Sequence, residues 1–152
     1  MKKMEFTKKE AAEAINYRLR AIQFYTDEGL IIPEAYNPSG RGTTRKYSRK
    51  NLLELLLIQI LAGNGLTLPQ IKTFMEYARA KGIDKKWDPE GLWGKRPENM
   101  KAKLYVADAH GNNPQIFIVG SDFDRVNVNL DKFDSVLRIN IENLFITVDA
   151  VE

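Results

Sequence analysis

A chain of 152 residues has room for one domain or two small ones, and its 43% hydrophobic and 28% charged residues are the balance of a globular protein. It contains no cysteine, which excludes disulfides, thiolate metal sites and thiol redox sensing and fits a cytoplasmic setting. The net charge of +3 hides an asymmetry: residues 1–86 carry 16 Lys/Arg against 9 Asp/Glu, a net of +7, and residues 87–152 carry 7 against 11, a net of −4. A basic half joined to an acidic half points to a polyanionic partner for the first half alone.

In chain order, the first half reads as helices. Thr7 followed by Glu10 is a capping-box pattern that starts a helix, with Ala11, Ala12, Ala14 and Ile15 as its packing residues. Asn16 stands where a tight turn needs a residue tolerant of the left-handed region. A second helix is expected from about Tyr17 to Glu28, with Leu19, Ile22 and Thr26 on one side, Tyr17, Arg20, Ala21 and Phe24 on the other, and Gly29 ending it. The Gly-, Pro- and Asn-rich stretch that follows predicts a hairpin between segments around Ile31–Ile32 and Arg45–Tyr47, with SGRG at its tip.

Ser48 can cap a third helix carrying LLELLLIQIL, apolar on most sides and therefore buried or facing a partner. That run, Leu52 to Leu61, contains Glu54 and Gln59 and is too short to span a bilayer. No apolar stretch follows the N-terminal charges, so no signal peptide is expected. Thr67 to Gln70 forms a second capping box that opens a fourth helix. Residues from about Gly82 to Met100 break any helical period and read as a linker. Beyond it, LYVA, QIFIV and VLRINI read as strands and ENLFITVDAV as a closing helix, although the stretch from Leu130 to Leu144 fits a helical period as well.

Two short helices, a tight turn and a basic hairpin make a winged helix-turn-helix. A helix fits the major groove, where each base pair shows a distinct donor and acceptor pattern, and a basic wing binds phosphate and fixes register. Arg18, Arg20 and Gln23 have the reach for base edges or phosphates. Tyr17 and Tyr25 offer hydroxyls to phosphate, and Arg41, Arg45 and Lys46 form the wing. The competing structural reading is a helical hairpin with a basic surface.

The stretch FTKKEAAEAINYRLRAIQFYTDEGLIIP resembles the opening of MerR-family regulators without a gap. The resemblance continues through Arg45-Lys46-Tyr47, similar to the family's wing signature, and GNGLTLPQIK, similar to its phrase before the fourth helix, and covers about residues 5 to 81. It implies sequence-specific binding to double-stranded DNA as a homodimer on a near-palindromic promoter operator, in contact with RNA polymerase. It also places Tyr25 at a phosphate-contacting position, Arg45 and Tyr47 in the wing signature, and Thr67 at a helix cap near phosphate. Three departures stand out. Gln23 replaces the family's arginine, Asn16 replaces a glycine, and the linker with Trp87, Pro89, Trp93 and Pro97 interrupts the family's long pairing helix.

The expected fold class is α+β. It comprises a winged helix-turn-helix over residues 1–81, a linker over 82–100, and a small α/β unit over 101–152 for dimerisation or partner contact. No metal, cofactor or membrane contact is expected. His110 with Asp108, Asp122 and Asp124 reads as a polar turn and a solvated acidic loop before it reads as a metal site, and Trp87 and Trp93 read as packing residues. With one histidine and no cysteine, no nucleophile-plus-base arrangement points to an enzyme. The alternatives are an adaptor or chaperone modulator with the same fold, which has no need of a basic helix and wing, and an excisionase-like architectural DNA-binding protein.

Overall fold

A computed structural model describes residues 3–36, 44–80, 103–107, 115–119 and 135–151. The elements are α1 (Lys8–Ala14), α2 (Leu19–Asp27), α3 (Arg49–Gly63), α4 (Leu68–Ala80), β1 (Lys103–Ala107), β2 (Gln115–Val119), β3 (Val136–Asn140) and α5 (Ile141–Asp149). The mixture is α+β, as expected. The chain divides into two compact units, residues 1–59 with 146–152, and residues 60–145. The linker and the His110 and Asp122–Asp124 region lie outside the described residues.

In the first unit, Thr7 and Glu10 form the reciprocal box: the Glu10 N–H donates to Thr7 Oγ1 at 3.2 Å, and the Thr7 N–H donates to Glu10 Oε1 at 3.3 Å. Both α1 and α2 end in the same device. After α1, Asn16 sits at φ 52°, and the Tyr17 N–H reaches back to the Ala12 carbonyl at 2.9 Å. After α2, Gly29 sits at φ 76°, the Leu30 N–H donates to the Tyr25 carbonyl at 2.9 Å and the Gly29 N–H to the Thr26 carbonyl at 3.1 Å. These paired bonds satisfy carbonyls that a helix end leaves open and turn the chain sharply.

The expected hairpin forms with other partners. Tyr36, not Ile31–Ile32, pairs with Lys46 through two main-chain bonds, and Tyr47 pairs with Phe6. Ile31 is instead a core residue, and Pro33 has no N–H to give a ladder. Asn51, fully buried on α3, anchors the start of the wing: its Oδ1 accepts the N–H groups of Glu34 and Ser48, and its Nδ2 donates to the Ile32 carbonyl at 3.0 Å. Leu52, Leu53, Leu55, Leu57 and Ile58 of α3 are fully buried, as its apolar surface demands. Each such side chain contributes about 1.5–3 kcal/mol on removal from water.

The second unit begins with the end of α3. Gly65 at φ 86° and the Leu66 N–H to Leu61 carbonyl bond repeat the helix-ending device. The expected Thr67–Gln70 box opens α4, whose Ile71, Phe74 and Met75 are buried. The three strands form an antiparallel sheet in the order β2-β1-β3, with Leu104 opposite Ile118 and Ile139. The segment whose sequence fits both strand and helix periods is strand over Val136–Asn140 and turns directly into α5.

Candidate nucleic-acid interface

Helix α2 presents two faces. Ile22, Tyr25 and Thr26 are buried, while Leu19, Arg20, Gln23, Phe24 and Asp27 recur at helical spacing on the open side. Leu19 therefore departs from the expected grouping with Ile22 and Thr26: it and Phe24 are the large exposed apolar residues of the helix. Arg18 is the N-cap of α2, with extended backbone and an exposed side chain. Arg18, Arg20 and Gln23 thus lie together at the helix's beginning and open face, as the sequence led one to expect.

The tyrosines divide. Tyr25 is largely buried and packs against Tyr17 and Phe24, and its hydroxyl meets that of Tyr17 at 3.4 Å. Burial, and then the Tyr25 hydroxyl, push the Tyr17 phenol well above its ordinary range, which keeps it a neutral hydrogen-bonding group. Tyr47, expected among the DNA contacts, is a core residue at 1% exposure. Thr26 Oγ1 donates to the Ile22 carbonyl at 2.7 Å, so the Tyr47 hydroxyl is the donor in its 2.8 Å bond to Thr26. Burial raises the Tyr47 pKa for the same reason. Tyr47 fastens the wing to the back of α2 and leaves contact with solvent to its neighbours.

Those neighbours are Arg45 and Lys46, both part-exposed. Lys46 Nζ lies 3.5 Å from Glu5, and Arg45 Nη1 lies 3.3 Å from Asp27 at the end of α2. Asp27 also accepts from Gln23 Nε2 at 2.8 Å, and the Gln23 carbonyl oxygen accepts from Lys8 Nζ of α1. The carboxyl of Asp27 is held below its usual range, first by the Gln23 amide and then by Arg45. Arg41 lies outside the described residues, and Thr67 caps α4 in the second unit.

Residues 6–78 match the family of MerR HTH family regulatory proteins. An HTH-type transcriptional regulator of Haemophilus influenzae is 30% identical over 101 residues, covering 66% of this chain and 72% of the relative. The chain belongs to the MerR family. HTH-type transcriptional regulators of Mycobacterium tuberculosis and Mycobacterium bovis are 25% identical over 73 residues, 48% of this chain, which spans 32% of their length. A solved structure described as HiNmlR, a MerR family regulator lacking the sensor domain, bound to promoter DNA, shares 30% identity at a TM-score of 0.44, covering 57% of this chain and 64% of that one.

Within this MerR-family domain, sequence reasoning missed two members of the polar surface and one buried cation. Asp27 was visible in principle, because Gln23 and Asp27 stand four residues apart on one helix face. Lys8 carried no such signal, since it meets Gln23 across two helices. Arg49, at 1% exposure, donates to three main-chain carbonyls: Nε to Lys3 at 2.7 Å, Nη1 to Val148 at 2.7 Å and Nη2 to Val151 at 2.5 Å. It also lies over the Phe6 ring, 5.7 Å from the centroid. A cleft of about 590 Å³ beside α1, lined by Phe6, Glu10, Glu13, Thr147, Ala150 and Val151 among others, contains none of the residues expected to meet DNA. Among the described residues no cluster of three or more metal-ligating side chains occurs, and no helix is long and apolar enough to cross a membrane.

Proposed function

We propose that this chain is a sequence-specific DNA-binding transcriptional regulator that lays α2 in the major groove of a promoter operator. The observation that carries the reading is the open face made by Arg18 at the N-cap of α2 and Arg20 and Gln23 on it, with Arg45 and Lys46 of the wing. The Tyr47–Thr26 bond ties wing to helix, so that the two cationic elements form one surface. Arg20 and Gln23 have base-reading chemistry, and exposed Phe24 and Leu19 supply apolar surface suited to thymine methyl groups. Arg45 and Lys46 suit phosphate. The protein acts without catalysis, in the cytoplasm, as a homodimer on two half-sites, with RNA polymerase as the partner at the promoter.

The test is a series of DNA-binding isotherms at increasing salt. Several cations on this surface displace counterions from the duplex, so log affinity falls linearly and steeply with log salt. A flat dependence would favour the adaptor reading over the DNA-binding one.

A further inference from the structure

The polar relay Lys8–Gln23–Asp27–Arg45 joins α1, α2 and the wing. Its chemistry fixes Gln23. A lysine ammonium only donates and an ionised aspartate only accepts. Only one orientation of the Gln23 amide satisfies both: carbonyl oxygen toward Lys8, NH2 toward Asp27. The opposite orientation would set NH2 against ammonium and oxygen against carboxylate. A glutamine amide has two N–H donors and two acceptor lone pairs. The relay uses one of each, and one of each is left.

One donor beside one acceptor on a planar amide is the complement of adenine in the major groove, where N7 accepts and N6 donates. Gln23 lies on the open face of α2 between Arg20 and Phe24, where a base edge would meet it. The placement of Asp27 is otherwise hard to rationalise. Its carboxylate stands at the C-terminal end of α2, where the helix dipole favours cations, and next to the surface proposed to meet phosphate. It is half exposed, and the bonds it accepts come from Gln23 and Arg45.

Resting on the DNA-binding reading, we propose that Gln23 is a specificity-determining residue that reads an adenine, and that Asp27 is its positioning residue and the counter-charge that holds Arg45 back from indiscriminate phosphate binding. Loss of Asp27 then has two consequences. The Gln23 amide is then oriented by Lys8 alone, with no acceptor-only partner on its NH2 side, and a negative charge is gone from beside the phosphates.

The experiment is selection from a random duplex pool with the full chain as wild type, Gln23→Ala and Asp27→Asn. Affinities follow on the duplex that wild type enriches and on poly(dI-dC), with thermal melts to verify that each variant is folded. Wild type should enrich a site with an adenine whose replacement by guanine weakens binding roughly 5- to 150-fold, the range of one bidentate base contact. Gln23→Ala should lose the preference at that position alone. Asp27→Asn should relax it, bind poly(dI-dC) more tightly than wild type, and so lower the ratio of specific to non-specific affinity. If Gln23→Ala selects the same site with the same preferences, or Asp27→Asn leaves that ratio unchanged, the inference is overturned while the DNA-binding reading stands. If wild type enriches no duplex, the DNA-binding reading itself falls, and this inference falls with it.

Discussion

Arg45 and Arg49 stand four residues apart on either side of the junction between wing and α3, and they meet opposite environments. The Arg45 side chain is 40% exposed and lies 3.3 Å from a carboxylate that is more exposed still. Arg49 is only 1% exposed and donates to the carbonyls of Lys3, Val148 and Val151. An exposed ion pair of Arg45's kind contributes roughly 0–1 kcal/mol to stability. A buried guanidinium with its hydrogen bonds made is costly to disturb, because its removal strands polar groups away from water. The exposed arginine is free to exchange its partner for a phosphate, whereas the buried one has its partners inside the fold. Val148 and Val151 lie at and just beyond the C-terminal end of α5, where carbonyls run short of helical partners and the dipole favours a cation; the Val148 carbonyl also accepts the Val151 N–H at 3.1 Å. Arg49 brings donors and a positive charge there and, within the first unit, ties residues 146–152 to α3 and to Lys3.

Removing the buried arginine is the sharpest way to break this contrast. Arg49→Ala should destabilise the chain by about 3–5 kcal/mol in urea denaturation, the cost of disrupting a buried charged network. Arg49→Lys keeps the charge but not the three-way donor geometry, and should fall between the two. Arg45→Ala should leave the urea midpoint nearly unchanged. Equal midpoint shifts for Arg49→Ala and Arg45→Ala would erase the distinction.

The next effect concerns how the wing is fastened. Because the Thr26 hydroxyl already donates to the Ile22 carbonyl, Thr26→Val leaves the buried Tyr47 hydroxyl without that acceptor. The expected loss is about 1–3 kcal/mol of stability. Adding Tyr47→Phe removes the stranded group and should recover part of it, so the double variant should be more stable than the sum of the two single losses. Strict additivity in denaturation would mean that the hydroxyl pair does not hold the wing.

Much of this architecture is legible in the residues because it is local. Thr7 with Glu10, Asn16, Gly29 and Thr67 with Gln70 announce helix ends through chemistry that acts over a few residues. The first two strands and the closing helix follow from period and composition, whereas at Val136–Asn140 the period leaves strand and helix both open. What is not legible depends on distant partners. Nothing near Arg49 in sequence says that its carbonyl acceptors lie at Val148 and Val151. Tyr47 has a residue type that suits phosphate, and only the packing of the wing on α2 turns its hydroxyl inward. The hairpin partner was misplaced for a similar reason: Ile31 looks like a strand residue, but the core claims it and pairing passes to Tyr36. At the candidate site, the cations and the Gln23–Asp27 spacing are visible in the sequence, but the contacts of Gln23 with Lys8 and of Asp27 with Arg45 become apparent only when α1, α2 and the wing come together.

Within the open surface, Arg20 and Arg45 should separate by role. Arg20→Ala should weaken the selected duplex by about 1–3 kcal/mol and relax preference at one position, as for a base-reading arginine. Arg45→Ala should weaken selected and random duplexes about equally and reduce the salt slope by roughly one. Titration of both variants on both duplexes at several salt concentrations measures this. If the two lose specific and non-specific binding in the same ratio, Arg20 is a phosphate contact like Arg45.

The smallest expected effect is the pH dependence that Asp27 contributes. Its carboxyl is held below the ordinary aspartate range by the Gln23 amide and by Arg45, so the folded state binds its proton less readily than the unfolded chain does. A depressed folded-state pKa gives stability that is fully present above the unfolded value and is lost as pH falls through the folded one. The difference in stability between wild type and Asp27→Asn should therefore be flat from neutral pH down to about pH 5 and shrink below about pH 4. Because Asp27 is exposed, that difference should also diminish in high salt, while the Arg49→Ala deficit persists there. Denaturation of wild type and both variants at low and high salt, from neutral pH to about pH 3, gives the comparison. A wild type–Asp27→Asn difference that grows on acidification would mean that the carboxylate is a net burden on the fold, with no stabilising share from Gln23 and Arg45. An Arg49→Ala deficit that salt removes would mean that the buried arginine behaves as a surface charge.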